Sequence, residues 1–508
     1  VAVVPDRGSA AVVVELENDS PVPVAVAVVL TFASADIHVV DDEIRRDGRT
    51  ILRTSRSVAR VLVADDVEDA RARVADGAAF PPIEGQWPKR GSVVVAIMPL
   101  PHTASLRVCL APSPGSSPSG PVSAVDTLPP LDAVARGWEL HLGRGGRVSL
   151  PDERLLRAEA AARRHLLIGS AQPLTAPFWT VGCAPWAPSV GAVALDAWGH
   201  GDEARELLLA ASGVDDLAVH AGRSTAEAGA VLWAWAERLE RRSEPELEAV
   251  LAPWAEQVAV GLMRRPRRFG RRRVEADDDA WRAIGLAAAG SLLSRLGDDA
   301  IGPDIVDALP ALVGELDLST PSLPLALGAS RLGAPLPQLG AALERHVGLP
   351  PRDDPLGGLA ATASDSGALP GQERSQHPGL SGLFLIALAR SVVAEPAGAG
   401  GPIALLADPA PSWLGAAIEA HGLRVATGAA SFGVRWHGTR PALLWDISGP
   451  SVRSVRAPGL DGEWSDDRAQ GEALLSPTPT LEAQPGPESP QVRRGETRDV
   501  GESPDSFS

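Results

Sequence analysis

The period of the apolar residues changes twice along this 508-residue chain, and few folds accommodate both changes. From Val1 to about Pro112 the apolar residues come in short, β-branched runs: AAVVVELEN, VPVAVAVVLTF, SVARVLVA, SVVVAIMPL and SLRVCLA. Polar or Gly/Pro turns such as ENDSP, RRDGRT and PKRGS separate them, the signature of consecutive strands. Residues 1–111 are therefore expected to form a β-sandwich. The stretch 112–130, PSPGSSPSGPVSAVDTLPP, has too few large apolar residues for a core and reads as a linker. Beyond it the period is helical, over 131–396. Strand-like runs return over 402–475 (PIALLA, LRVATG, ASFGVRWHG, RPALLWDIS), giving a small C-terminal β-domain. Residues 476–508, rich in Pro, Ser, Gly and charge, are expected to be a disordered tail.

Eleven helices are predicted in the middle segment, near 131–143, 152–168, 185–199, 202–212, 224–242, 245–262, 277–296, 303–315, 320–332, 336–346 and 378–394. Good start signals support several: Asp152 with Glu153 in the first turn, Ser224 with Glu227 three residues on, Ser243 with Pro245, and the acidic run Asp277, Asp278, Asp279. Short connections (GHGD, RSE, GDDAIG, GAP) alternate with long ones (169–184, 213–223, 263–276, 347–377), apart from the short 316–319 link. Short turns close helical hairpins on one face, and long links cross to the next inner helix on the other. The expectation is a central all-α toroid of the (α/α)6 type with its mouth on the long-loop face. Such a ring expects twelve helices; the missing outer one would be replaced by the 395–420 segment.

Composition narrows the function. A net charge of -17 argues against sequence-independent nucleic-acid binding, which needs basic surface to displace counterions. No uncharged apolar run is long enough to span a bilayer, and the first residues lack the basic start of a signal peptide, so no membrane partner and a cytoplasmic location are expected. Cys109 and Cys183 are far apart and have no ligand-spaced partners, so two reduced, buried thiols are expected and neither a disulfide framework nor a metal site. No Walker motif, HExxH or GxSxG elbow occurs, GRGGRV at 143–148 is no dinucleotide fingerprint, and no cofactor is expected. The abundance of Ala and the single Lys89 suit a coding bias and carry no function.

Sandwich, linker, ring of hairpins and small β-domain is an order that resembles the six-hairpin glycosidase superfamily of glycogen-debranching-like and glucoamylase-like proteins. ADDDAWRAIGLAAAGSLLSRLGD (276–298) and STAEAGAVLWAWAERLE (224–240) look like inner helices of such toroids. HGLRVATGAASFGVRWHGTRPALLWDI (421–447) looks like the C-terminal β-domain of uncharacterised bacterial members. The resemblance implies a carbohydrate-active protein hydrolysing an α-linked glucoside or oligosaccharide. The Trp-Glu-x-Arg and Glu-Glu signatures of a glucoamylase-like general-acid loop are missing, which keeps open an inactive relative that binds glycan or serves a structural role.

Glycoside hydrolysis needs two carboxyl groups flanking the scissile bond, about 5 to 5.5 Å apart for retention and about 6.5 to 9.5 Å for inversion, one of them kept protonated. Asp278 or Asp279 with Glu373, at the starts of two inner helices, is the best pair. The plainer roles are N-capping and favourable interaction with the helix dipole for the aspartates and a solvated loop position for Glu373. Three of thirteen Trp fall in PFWTVGCAPWAPSVGAVALDAW. Of its aromatics, Phe178, Trp179 and Trp186 would offer flat faces to a pyranose, or pack as core. Trp198, Trp233, Trp235, Trp254 and Trp281 lie within helices and read as core. His220 and His377 precede inner helices and are candidates for hydrogen bonds to sugar hydroxyls. The seven Arg of MRRPRRFGRRRVEADDD (263–279) would suit a phosphate clamp or a solvated loop. Oligomeric state is not legible.

Overall fold

The computed structural model describes residues 2–6, 9–31, 37–79, 93–110, 124–180, 183–213, 224–264, 274–297, 300–314, 316, 328–332, 378–395, 401–426, 428–449 and 454–478. The chain divides into two compact units, Val1–His141 and Leu142–Ser508.

The first unit carries β1 (Ala2–Asp6), β2 (Ser9–Glu17), β3 (Val24–Thr31), β4 (Ile37–Val40), β5 (Glu43–Arg46), β6 (Arg49–Thr54), β7 (Arg60–Ala64), α1 (Val67–Ala75), β8 (Val93–Leu100) and β9 (Ser105–Leu110). Two sheets result, one ordered β1-β2-β9-β6-β5-β4 and the other β3-β8-β7, with antiparallel pairings throughout. The period-2 pattern explains the packing. Ile37, Val39, Ile44, Leu52 and Val108 of the first sheet share one core with Val61, Val94, Ala96, Met98 and Leu100 of the second. On the other face of β8, Val93 and Val95 join Ala70 of α1. Asp66 caps that helix, accepting the Asp69 N–H at 2.8 Å.

The stretch read as a linker is docked over its described part. Val125 and Leu128 are buried with Ala11, Val13 and Cys109 on the opposite face of β2 and β9 from the shared core. The Arg107 guanidinium donates to the carbonyls of Val125 (3.2 Å), Leu128 (3.4 Å) and Pro129 (2.7 Å). Helix α2 (Leu131–Gly143) begins with Leu131 and Val134 against the same cluster, and the division between units falls eleven residues beyond the linker's expected end at 130.

The second unit opens with β10 (Arg147–Ser149) and continues through α3 (Glu153–Ser170), α4 (Pro177–Thr180), α5 (Ala187–Ala197), α6 (Gly201–Ser212), α7 (Thr225–Arg241), α8 (Pro245–Arg264), α9 (Val274–Leu296), α10 (Gly302–Val313) and α11 (Pro378–Val392). Two of the predicted caps form: Asp152 accepts the N–H groups of Arg154 and Leu155, and Ser224 that of Glu227. Helices α11, α5, α7 and α9 lie side by side in that order, while α6, α8 and α10 flank α5, α7 and α9 as hairpin partners. Every residue of α5 is buried, and such an inner helix is apolar all round rather than on one stripe.

Of the helix expected at 320–332, a 3-10 turn at Ala329–Leu332 is described, and 336–346 lies outside the described residues. The 395–420 segment, read as replacing the missing outer helix, is not α-helical over its described residues. Its described residues form β12 (Ile403–Leu405), a 3-10 turn at Pro411–Trp413 and the start of β13 (Ile418–Val425), because Pro402, Pro409 and Pro411 interrupt any helical run.

Two C-terminal sheets follow. One, β10-β13-β14-β15-β18, uses β13 (Ile418–Val425), β14 (Gly428–His437), β15 (Arg440–Ser448) and β18 (Gln470–Leu474). The other, β11-β12-β16-β17, uses β11 (Val393–Ala394), β16 (Val455–Ala457) and β17 (Asp461–Asp466). Among the described residues no helix is long and apolar enough to cross a membrane.

Candidate functional site

Helices α5, α7, α9 and α11 point the same way, and contacts at both ends show it. Trp186, at the N-terminal cap of α5, has its ring centroid 5.8 Å from that of Trp281, two turns into α9. At the other ends Arg238 of α7 meets Asp196 of α5 at 3.2 Å, and Arg390 of α11 meets Glu237 of α7 at 3.1 Å. The N-termini that follow the long loops therefore gather at one end, where the mouth is expected.

An indole wall stands at that end. The Trp281 ring lies 5.3 Å from Trp233 of α7 as well as against Trp186, both in tilted geometry. Trp233 and Trp281 are fully buried and Trp186 is 9% exposed. The Nε1–H groups of Trp233 and Trp281 have no hydrogen-bond partner among the described residues.

Asp278 precedes Trp281 by three residues, which puts both on one face of α9. It is half-buried, and Asp279 is exposed. Since α9 begins at Val274, the aspartates sit about one turn inside the helix rather than at its cap. Glu373, His220 and His377 lie outside the described residues, as does most of the arginine-rich loop.

Phe178 and Trp179 sit on α4, beside the C-terminal end of α3. Trp179 is buried and donates its indole N–H to the Gly169 carbonyl at 3.0 Å, so that donor is already engaged in packing. The half-buried Phe178 ring lies 4.7 Å from the His165 ring and 4.8 Å from Trp179. His165 shares a hydrogen bond of 3.2 Å with the buried Ser381 hydroxyl of α11. Cys183 is half-buried rather than buried, and desolvation pushes its thiol up to about 11 despite the Gly379 backbone contact, so it stays protonated and unreactive near neutrality. Cys109 is buried, and neither cysteine is part of a disulfide.

The opposite ends of the helices hold a charged network that sequence patterns did not reveal. Burial works to raise the Glu237 carboxyl, but Arg331, Arg390 and Arg241 outweigh it and hold it well below the usual carboxylate range. Arg331, from the 3-10 turn, also grips Glu240 in a two-pronged contact of 3.0 and 2.8 Å. Nearby, burial pushes the Glu395 carboxyl up, while the Ala426 N–H donates to it at 2.5 Å. A hollow of about 330 Å³ lined by Asp152, Arg154, Arg157 and Ser412 lies at the start of α3, at the other end of that helix from Phe178 and Trp179. Among the described residues no group of His, Cys, Asp or Glu is arranged to hold a metal ion.

No protein-family model matches the chain, and no curated protein matches it. Among solved structures it is similar to an α-L-rhamnosidase from Dictyoglumus thermophilum, at 10% identity and a TM-score of 0.38. The match covers 90% of this chain and 57% of that one, so the chain spans less than two thirds of that protein. The likeness is distant and assigns no residue here a role.

Proposed function

We propose that the chain is a carbohydrate-active protein of the six-hairpin glycosidase kind, hydrolysing α-glucosidic bonds at the N-terminal end of the inner helices. The observation that carries this reading is Asp278 one turn ahead of Trp281, whose ring meets Trp186: a carboxyl group beside an indole wall. Indole faces receive the C–H faces of a pyranose, and a carboxyl group at their border is where acid or base work is needed. In this reading the four inner helices belong to an (α/α)6-type toroid. Asp278 or Asp279 supplies one carboxyl group and Glu373 the other. Phe178 and Trp186 contact the sugar rings, and His220 and His377 reach hydroxyls.

The test is separate replacement, D278N, D279N and E373Q, assayed on an α-linked oligosaccharide the wild-type protein turns over. Loss of turnover in E373Q and in one aspartate variant, with the fold retained, supports the assignment. Full activity in all three removes it.

A second reading, a non-catalytic glycan-binding or structural relative, is favoured by the burial of Trp186 and Trp281, which leaves little indole face for a ligand. Binding of an oligosaccharide without multiple-turnover release of reducing sugar would select it.

A further inference from the structure

The outward face of β15 reads Arg440, Ala442, Leu444, Asp446, while the alternate residues Pro441, Leu443, Trp445 and Ile447 are buried. β15 lies inside its sheet, between β14 and β18. Ala442 pairs with Leu474 of β18, and Leu444 with Gly433 of β14. Leu444 is 61% and Leu474 51% exposed, so an apolar patch stands in the middle of a sheet face. A cation and an anion bound it along the strand. Among the described residues neither Arg440 nor Asp446 is in an ion pair; the Arg440 guanidinium donates to the carbonyls of Leu475 (3.0 Å) and Leu474 (3.4 Å), which leaves its charge unneutralised.

We propose that this face is the interface between two copies of the chain, β15 packed over β15 about a two-fold axis that passes over Leu443 at right angles to the strand. A two-fold contact sets residue i of one copy against residue j of the other, and j against i. With the axis at Leu443, positions equidistant from it meet. Arg440 of each copy falls on Asp446 of the other, and Ala442 on Leu444. The neighbouring strands agree: the same operation sets Arg435 of β14 against Gly433 and Glu472 of β18 against Leu474, so like charges do not oppose one another there. Stacked sheets lie about 10 Å apart with strands within about 30° of each other, and that rotation displaces least the residues nearest the axis.

The order of the charges selects the occupant. A foreign strand would need an anion, two apolar residues and a cation at alternate positions running the opposite way. A second copy turned about the two-fold axis presents that order, whereas a face with charge of one sign would repel its own copy. Burial of Leu444 and Leu474 supplies the attraction, and the two Arg440 to Asp446 contacts set the register.

The experiment is sedimentation of the full chain across the micromolar range, with D446R, R440D, an equimolar mixture of the two, and L444K. All three positions are exposed, and an unchanged melting temperature verifies the fold of each variant. The wild type should form a dimer that dissociates on dilution. D446R and R440D each set like charges against one another and should be monomeric alone, as should L444K. The mixture should dimerise, because every charged contact along β15 in the mixed pair is again between opposite signs. R440D also gives up the bonds to the Leu474 and Leu475 carbonyls, so D446R and L444K decide the matter where it melts lower. A wild type that is monomeric throughout overturns the proposal. So does a dimer that survives D446R and L444K, or a mixture of folded variants that stays monomeric.

Discussion

Gly229 of α7 and Gly285 of α9 lie backbone against backbone: a methyl group on Gly285 would collide with the Gly229 Cα, and one on Gly229 with the Trp281 carbonyl oxygen. The helices can approach this closely only because neither residue has a Cβ. The same contact brings Trp233 and Trp281 together, so the indole wall depends on it.

Replacing either glycine by Ala improves helix propensity by about 1 kcal/mol, yet overpacking here costs about 1 to 3 kcal/mol because the blocking atoms are backbone. G285A and G229A should therefore lower stability in urea unfolding. An exposed control, Gly137→Ala on α2, where nothing lies within 4 Å, should leave stability unchanged or raise it.

The Glu237 network predicts a sign for pH dependence. The folded carboxyl lies below its ordinary value of 4.5, so the stability it contributes is fully present above that value and is lost as pH falls beneath it. Glu237→Gln leaves the half-buried Arg390 and Arg241 short of a counter-charge, and Arg331 with Glu240 alone, and should cost about 3 kcal/mol at neutral pH. The variant's stability should also fall less steeply on acidification than the wild type's.

Glu395 has the opposite sign. Burial raises its carboxyl above 4.5, so the stability linked to its protonation is present below that value and is lost as pH rises through the folded value. Glu395→Gln keeps an acceptor for the Ala426 N–H without the charge. It should be as stable as the wild type or more so at neutral pH, whereas Glu395→Ala, which strands that donor, should be less stable.

Trp179 and Trp186 should separate. Trp179→Phe removes the N–H donated to Gly169 and should cost about 0.5 to 1.5 kcal/mol of stability with little effect on ligand binding. Trp186→Ala should weaken oligosaccharide binding, read by titration calorimetry, beyond any change in stability.

The order of strands, helices and strands was legible because apolar period reports which faces are buried, and Asp152 and Ser224 cap as their side chains require. The five in-helix indoles read as core are buried. The docking of 124–130 was hidden because Arg107, which holds it, lies on a strand outside that stretch. The Glu237 network was hidden because Arg331 and Arg390 are far away in sequence and look like ordinary surface charge. The packing use of Gly229 and Gly285 was hidden because the partner each one meets lies on another helix, which helical period does not report. Strand β10 was missed because three residues are too few to show a period, although Gly145 and Gly146 before it sit tightly against Trp198 and Leu423.

The most direct measurement is release of reducing sugar from a panel of α-linked glucosides and oligosaccharides by the wild-type chain and by D278N/D279N. The account predicts multiple turnovers on at least one substrate, proportional to protein, and abolished in the folded double variant. No release and no binding of any panel member by folded wild-type protein, or release that survives the double substitution, would contradict it.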